Sequence, residues 1–257
     1  MSYNFCFASE AHYPNYTKRI KTNSLKAYLD LELDKQDIPY YISTNRPQDF
    51  DEYKDNKMVR ICDVNELRKD VPESFTYELY PEDPTGIYAA RYPWNMRRFL
   101  VRQAGLDGYS GCYLFDADSV NHINIDKDNI IPHIESFYEP KVVGTNQAIF
   151  KYEPGTKFEV FKYHDLYIKH FNLTFTIEQY TTVDGPGMFF MGESPKDLLD
   201  IYEKWNFYTI FGYKQEFGFG CNSNFHTNLS FTLPAVGFTV KAKPCPFYPE
   251  HHFEDRY

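Results

Sequence analysis

The stretch Gly111-Cys-Tyr-Leu-Phe-Asp-Ala-Asp-Ser-Val120 constrains this chain more than any other, because an apolar run opening on a glycine stops abruptly at two aspartates one residue apart. An unbroken apolar and aromatic run is the pattern of a strand buried on both faces, as in a parallel sheet covered by helices. In open α/β sheets ligands bind outside the carboxyl ends of the strands, so carboxylates emerging there are placed for a hard divalent cation and a phosphorylated ligand. Asp116 and Asp118 are the candidate metal ligands, with Ala117 between them.

Other segments supply the rest of such a sheet. Asn4 to Ser9 reads as a first buried strand with Ser9 and Glu10 at its exit, followed by a helical pattern from Tyr16 to about Lys35. Pro39 to Asn45 is a second strand and Lys57 to Asp63 a third, so Ser9, Thr44 and Asp63 reach one common edge, where a doubly wound sheet holds a nucleotide. Val71 to Gly86 is irregular and rich in proline and acid, the composition of a long loop. A helix follows, with Pro93 expected in its first turn and Gly105 just past its end. It carries Arg97 and Arg98, and because consecutive helical residues point about 100° apart, one is expected to neutralise a diphosphate and the other to face solvent.

In the second half, Ile125 to Tyr138 reads as a short helix, Lys141 to Phe150 as a strand, Thr156 to Phe171 as a helix, and Phe171 to Ile177 as an alternating strand. Asp184, Gly185 and Gly187 form a tight turn feeding the strand that begins at Met188, and glycine there lets a ligand approach the backbone. Ser194, Pro195 and Asp197 make a strong helix start, with Ser as N-cap and Asp at N3. Leu198, Ile201, Tyr202, Trp205 and Tyr208 continue at helical spacing as a core stripe, with Gly212 as the expected end. Gly237 to Pro244 is a last strand.

At 257 residues the chain suits one α/β domain. A net charge of -9 and a pI near 5.4 argue against broad electrostatic attraction to nucleic acid or anionic membrane. Five cysteines without a Cys-x-x-Cys pair point to a reducing compartment, and neither a leader pattern nor a membrane-length apolar run is present, so the expectation is a cytoplasmic protein.

The strand ending in Phe115-Asp-Ala-Asp118, the β-α-β opening and the glycine-rich Asp184 to Met191 strand together resemble the nucleotide-sugar glycosyltransferases of the GT-A type. The resemblance implies a Rossmann-like, mixed but mostly parallel sheet flanked by helices, with roughly residues 1–120 as the nucleotide-sugar-binding half and 121–257 as the acceptor-binding half, and transfer of a sugar from a nucleoside-diphosphate sugar to a hydroxyl acceptor. It implies Mn²⁺ or Mg²⁺ held by Asp116 and Asp118, with His251 as a third ligand and His252 and His226 as competitors. Donor binding then involves Ser9, Thr44, Asp63, Arg97, Arg98, Asp116 and Ala117. The acceptor lies near Gly185, Gly187 and Met188, and Asp184 and Glu216 are candidates for the base an inverting enzyme requires. A glycan is one acceptor. Hydroxymethylated cytosine is the specific alternative, because size and composition are similar to those of small bacteriophage DNA glycosyltransferases, with Lys151, Lys157, Lys162 and Lys169 as the basic residues such an acceptor would meet.

Two other classes compete. Asp116-Ala-Asp-Ser-Val120 also fits the opening motif of haloacid-dehalogenase-like phosphatases, in which the first aspartate is a nucleophile. That family carries the motif on its first strand, whereas three strands precede it here. The third class is a non-catalytic module that binds a nucleotide or metal.

Overall fold

The computed structural model describes residues 4–12, 14–67, 69, 87–121, 125–145, 149–151, 164–172, 181–183, 187–214, 223–244 and 246–249. In chain order, β1 (Phe5–Ala11), α1 (Pro14–Thr22) and α2 (Ser24–Asp30) lead to β2 (Tyr40–Thr44), β3 (Val59–Asp63) and the single-turn α3 (Val64–Leu67). Then come α4 (Ile87–Leu106), β4 (Gly111–Phe115), β5 (Ser119–Asn121), α5 (Ile130–Phe137), β6 (Val142–Thr145) and β7 (Ile149–Lys151). The chain continues with α6 (His164–Phe171), β8 (Thr181–Val183), β9 (Gly187–Met191), α7 (Pro195–Lys214), α8 (Ser223–Ala235), β10 (Thr239–Ala242) and β11 (Phe247–Pro249).

Seven strands form one sheet in the order β10-β6-β9-β4-β1-β2-β3. Neighbours pair in parallel except around β9, which runs antiparallel to both β4 and β6. Two small antiparallel pairs, β5 with β11 and β7 with β8, complete the described strands. The mostly parallel α/β sheet expected from the apolar runs is therefore present.

The continuity of those runs has a simple cause. Strand residues alternate between faces, and both faces are covered. Phe5, Phe7, Tyr40, Ile42, Tyr113 and Phe115 pack with Ile20, Leu25 and Tyr28 of α1 and α2 and with Ile134 of α5. Cys6, Ala8, Tyr41, Cys112 and Leu114 pack against Leu100 and Val101 of α4, Ile201 and Trp205 of α7, and Leu229 of α8. On the first face the rings of Tyr28, Tyr40, Phe115 and Phe247 stack in series at centroid spacings of 5.1, 5.3 and 5.0 Å. Helices α4 and α7 lie together on the second face, where a Cβ on Gly105 would stand 2.9 Å from Leu199 Cδ2.

Several expected boundaries move. The single helix read from Tyr16 to Lys35 is broken at Asn23 and again at Glu32, which adopts φ 52°, before a short 3₁₀ turn over Leu33–Gln36. Helix α4 begins at Ile87, so Pro93 lies inside it, and it includes Gly105 because the close approach of α7 requires a small residue there. Gly108, at φ 92°, supplies the left-handed conformation after the helix. The strand expected over Lys141 to Phe150 is divided between β6 and β7. Helix α6 occupies the end of the helix expected over Thr156 to Phe171, so Phe171 is helical, and the strand expected to follow lies in residues 173–180, outside the described residues. Helix α7 runs through Gly212 to Lys214. Its start is as expected: the Asp197 carboxylate accepts from the Ser194 amide at 3.0 Å and the Glu193 amide at 2.7 Å.

Candidate functional site

The order of strands locates the site. From β1 the chain proceeds outward to β2 and β3, then returns to place β4 on the other side of β1, so the direction of winding reverses between β1 and β4. The carboxyl ends of two such strands leave a crevice between their diverging connections. Asp116 follows β4 directly. Ala8 is level with Leu114, the last pair of the β1–β4 ladder, and Glu10 and Asp116 each lie two residues beyond it.

Alternation along the strands brings these two carboxylates to one face. Glu10 continues the Cys6, Ala8 series and Asp116 the Cys112, Leu114 series, both facing α4. Arg97 lies on the stripe of α4 that includes Leu100, Val101 and Ala104, spaced three, four and seven residues on, and so faces the same sheet surface. Its Nε and Nη2 donate to Glu10 Oε1 at 2.9 and 2.5 Å, and Nη2 also donates to Asp116 Oδ1. Glu10 and Arg97 side chains are only 2% and 3% exposed, whereas Asp116 is 26% exposed. The second aspartate is held from the other side of the sheet: Asp118 lies 3.7 Å from Arg19 of α1. A tight turn, with the Ser119 amide donating to the Asp116 carbonyl at 3.0 Å, sets the spacing between the two carboxylates.

The electrostatics follow from burial. Loss of water pushes the Glu10 carboxyl up to about 7, the Arg97 guanidinium opposes this, and the Asp116 charge adds to it. Burial alone would lower Arg97, but the charges of Glu10 and Asp116 hold it above its ordinary value. The Tyr16 hydroxyl is raised by burial and by the Asp116, Glu10 and Asp118 carboxylates, so the edge is predominantly acidic around a few fixed guanidinium groups.

Other expected site residues have different surroundings. Ser9 donates to the Phe115 carbonyl at 2.5 Å and Thr44 to the Ala11 carbonyl at 2.6 Å, and both are fully buried. Their hydroxyls fasten adjacent strands at the crevice floor and are spent there, so neither is offered to a donor nucleoside. Asp63 ends β3 at the same edge, level with Thr44, and is half-buried. Ala117 is buried in the turn. Arg98 does not join Arg97, and neither arginine faces solvent. One residue further round the helix, Arg98 lies over the Phe99 ring at 4.3 Å and donates to Asn206 of α7 at 3.1 Å. Gly187 pairs with Phe115 and so begins β9 at the same edge as Asp116, but the Met188 side chain is buried in the core beneath α7 and cannot meet an acceptor. Asp184, Gly185, Glu216, His251 and His252 lie outside the described residues, and of His226 the structure describes only its place in α8.

The residues missed from sequence are Glu10 and Arg19. The available signal for Glu10 was a carboxylate near the exit of a buried strand, a weaker form of the one that singled out Asp116, because Glu10 follows Ser9 and lies within β1. Among the described residues no three His, Cys, Asp or Glu side chains converge to hold a metal. Asp116 and Asp118 nevertheless fit a hard cation of the kind that takes one or two carboxylates and completes its shell with phosphate oxygens and water. Both are partly exposed, at 26% and 22%. No described helix is long and apolar enough to cross a membrane. A scan of the chain against protein-family models gives no match, and a search of curated proteins gives none either.

Proposed function

We propose that this chain is a metal-dependent glycosyltransferase of the GT-A type that moves a sugar from a nucleoside-diphosphate sugar to a hydroxyl acceptor. The observation that carries the reading is the position of Asp116 and Asp118 at the carboxyl end of β4, beside the reversal between β1 and β4. Asp116 and Asp118 would hold Mn²⁺ or Mg²⁺. When bound, the cation offsets the charge that grows on the leaving diphosphate. Arg97 fixes the orientation of Asp116, and Arg19 adds positive charge beside Asp118. His251 would be the third ligand in this reading, and it lies outside the described residues. Asp184 or Glu216 would take the acceptor proton, with Gly187 marking the acceptor side of the edge.

The fourth-strand position of Asp116 favours a cation and diphosphate role over a phosphatase nucleophile, whose motif lies on the first strand. For the acceptor, a modified cytosine in DNA is the specific version and a glycan the general one. Lys151 and Lys169 belong to β7 and α6, whereas Lys157 and Lys162 lie outside the described residues.

A donor screen tests the proposal. With Mn²⁺ present, one of the UDP-, GDP-, CDP- or TDP-sugars should be hydrolysed slowly and transferred faster when acceptor is added. Transfer to DNA should weaken steeply with salt. Turnover of none of these donors, with or without hydroxymethylated DNA or glycans, would remove the transferase reading.

A further inference from the structure

We propose that a ring cluster on α6 and α7, centred on Phe207 and flanked by Lys169 and Lys204, is a docking surface for a single strand of nucleic acid. Phe207 is 49% exposed, and with Leu106 it is the most exposed of the large apolar side chains among the described residues. Its ring lies 5.5 Å from that of Phe171 on α6 and 5.3 Å from that of Tyr208, and the His170 ring meets Phe171 edge to face at 5.0 Å. Tyr208 is buried and forms the floor, Phe171 is half-buried, and Phe207 and His170 reach solvent. A base can stack on such rings whatever its identity, because every base has an aromatic face.

The cations around the rings select the partner. Lys204 Nζ lies 5.4 Å from the Phe207 centroid and 5.9 Å from that of Tyr208, and Lys169 is exposed on α6 beside His170. Lys127, Lys141, Lys196, Lys241 and Lys243 each bond a carboxylate, but Lys169 and Lys204 make no ion pair among the described residues. Asp200, one turn before Lys204, is held by Lys196. An apolar partner would bury these two charges without compensation, at a cost, whereas a nucleic-acid strand brings phosphates to the lysines and bases to the rings. Glu203, exposed one turn before Phe207, limits the electrostatic part, so stacking carries most of the binding. On a chain of net charge -9, attraction to a polyanion has to be focused in this way. Asn206, directly before Phe207, accepts from Arg98, the neighbour of the arginine bonded to Asp116, so the surface flanks the edge that carries both aspartates. In the transferase reading the docked strand carries the acceptor, and that role rests on the reading.

The test titrates a fluorescein-labelled single-stranded oligonucleotide with the full chain, without metal or sugar nucleotide, and reads anisotropy. Two neutralised phosphates give a log–log salt slope of about 1.4, so wild-type binding should weaken roughly sevenfold between 50 and 200 mM salt. Phe207→Ala removes one stacking ring and should weaken binding by about 5–150-fold. Lys169→Gln/Lys204→Gln should weaken binding and leave little salt dependence. The thermal midpoint of each variant checks its fold, and should Phe207→Ala unfold, the lysine variant decides in the same terms. No binding by the wild type, or binding as tight in the folded variants as in the wild type, overturns the docking surface. So does a wild type that sediments as a dimer, dissociates in Phe207→Ala and binds the oligonucleotide equally in both, because the rings then serve a second copy of the chain. A wild type that releases nucleoside diphosphate from a sugar nucleotide but does not bind the oligonucleotide overturns this surface alone. Binding that follows the variants as expected, in a chain that turns over no donor, supports the surface and removes the transferase reading.

Discussion

Asp116 and Asp118 are two residues apart, yet they are held by arginines from opposite faces of the sheet, Arg97 of α4 and Arg19 of α1. Asp116 thus has a buried, hydrogen-bonded neighbour in Arg97, and Asp118 a looser, more exposed one in Arg19. The least comfortable member of the group is Glu10, whose carboxyl is lifted by burial from an ordinary 4.5 to about 7. Between those values the folded chain binds this proton more tightly than the unfolded chain does, so this group's contribution to stability declines as pH rises from about 4.5 to about 7. Urea unfolding at pH 5 and pH 8 should show the wild type losing more stability across that interval than Glu10→Gln; equal losses would contradict the assignment. Asp116 was legible from sequence because an apolar run ended on it. The role of Glu10 was not, because it depends on Arg97, 87 residues away, and on which face of α4 that arginine occupies. Arg98 shows the same limit, since its place against α7 follows from helix packing that no local pattern displays.

Two elements carry the site's geometry from outside it. At the start of α7, burial pushes the Asp197 carboxyl up, but hydrogen bonds from Lys141 and from the Glu193 and Ser194 amides more than offset this and hold it below its usual range. Its contribution is present above the ordinary carboxylate range and is lost as pH falls through the lowered value. Asp197→Ala removes this cap and should cost about 1–2 kcal/mol in thermal or denaturant unfolding at neutral pH; an unchanged midpoint would show that the cap contributes little. This start was readable from Ser194-Pro-Lys-Asp197, because capping chemistry is local. Strand β11 was not, although it matters to the site. It pairs with β5 directly after Asp118, and Phe247 stacks on Phe115 directly before Asp116. Phe247→Ala should cost about 3–5 kcal/mol, because the ring is fully buried. The loss would be read in the same unfolding experiments, and a cost near zero would mean that β11 does not anchor the aspartate turn.

At the scale of the whole molecule, the central strands were legible because both of their faces are buried and each therefore reads as an apolar run, whereas the edge strands β3 and β10 are partly exposed and carry Arg60 and Lys241. The position of β9 was not legible, since an antiparallel strand inserted between β4 and β6 leaves the same apolar pattern as a parallel one. It is the order of strands, rather than the motif alone, that sets Asp116 and Asp118 beside the crevice at the reversal between β1 and β4. The central claim is that these two carboxylates hold a donor diphosphate through a divalent cation. The most direct test compares wild type with Asp118→Ala for release of nucleoside diphosphate from the preferred sugar nucleotide, with Mn²⁺ and with a chelator. The account predicts release that requires Mn²⁺ in the wild type and is abolished in the variant; release that persists in Asp118→Ala, or that is unaffected by the chelator, would contradict it.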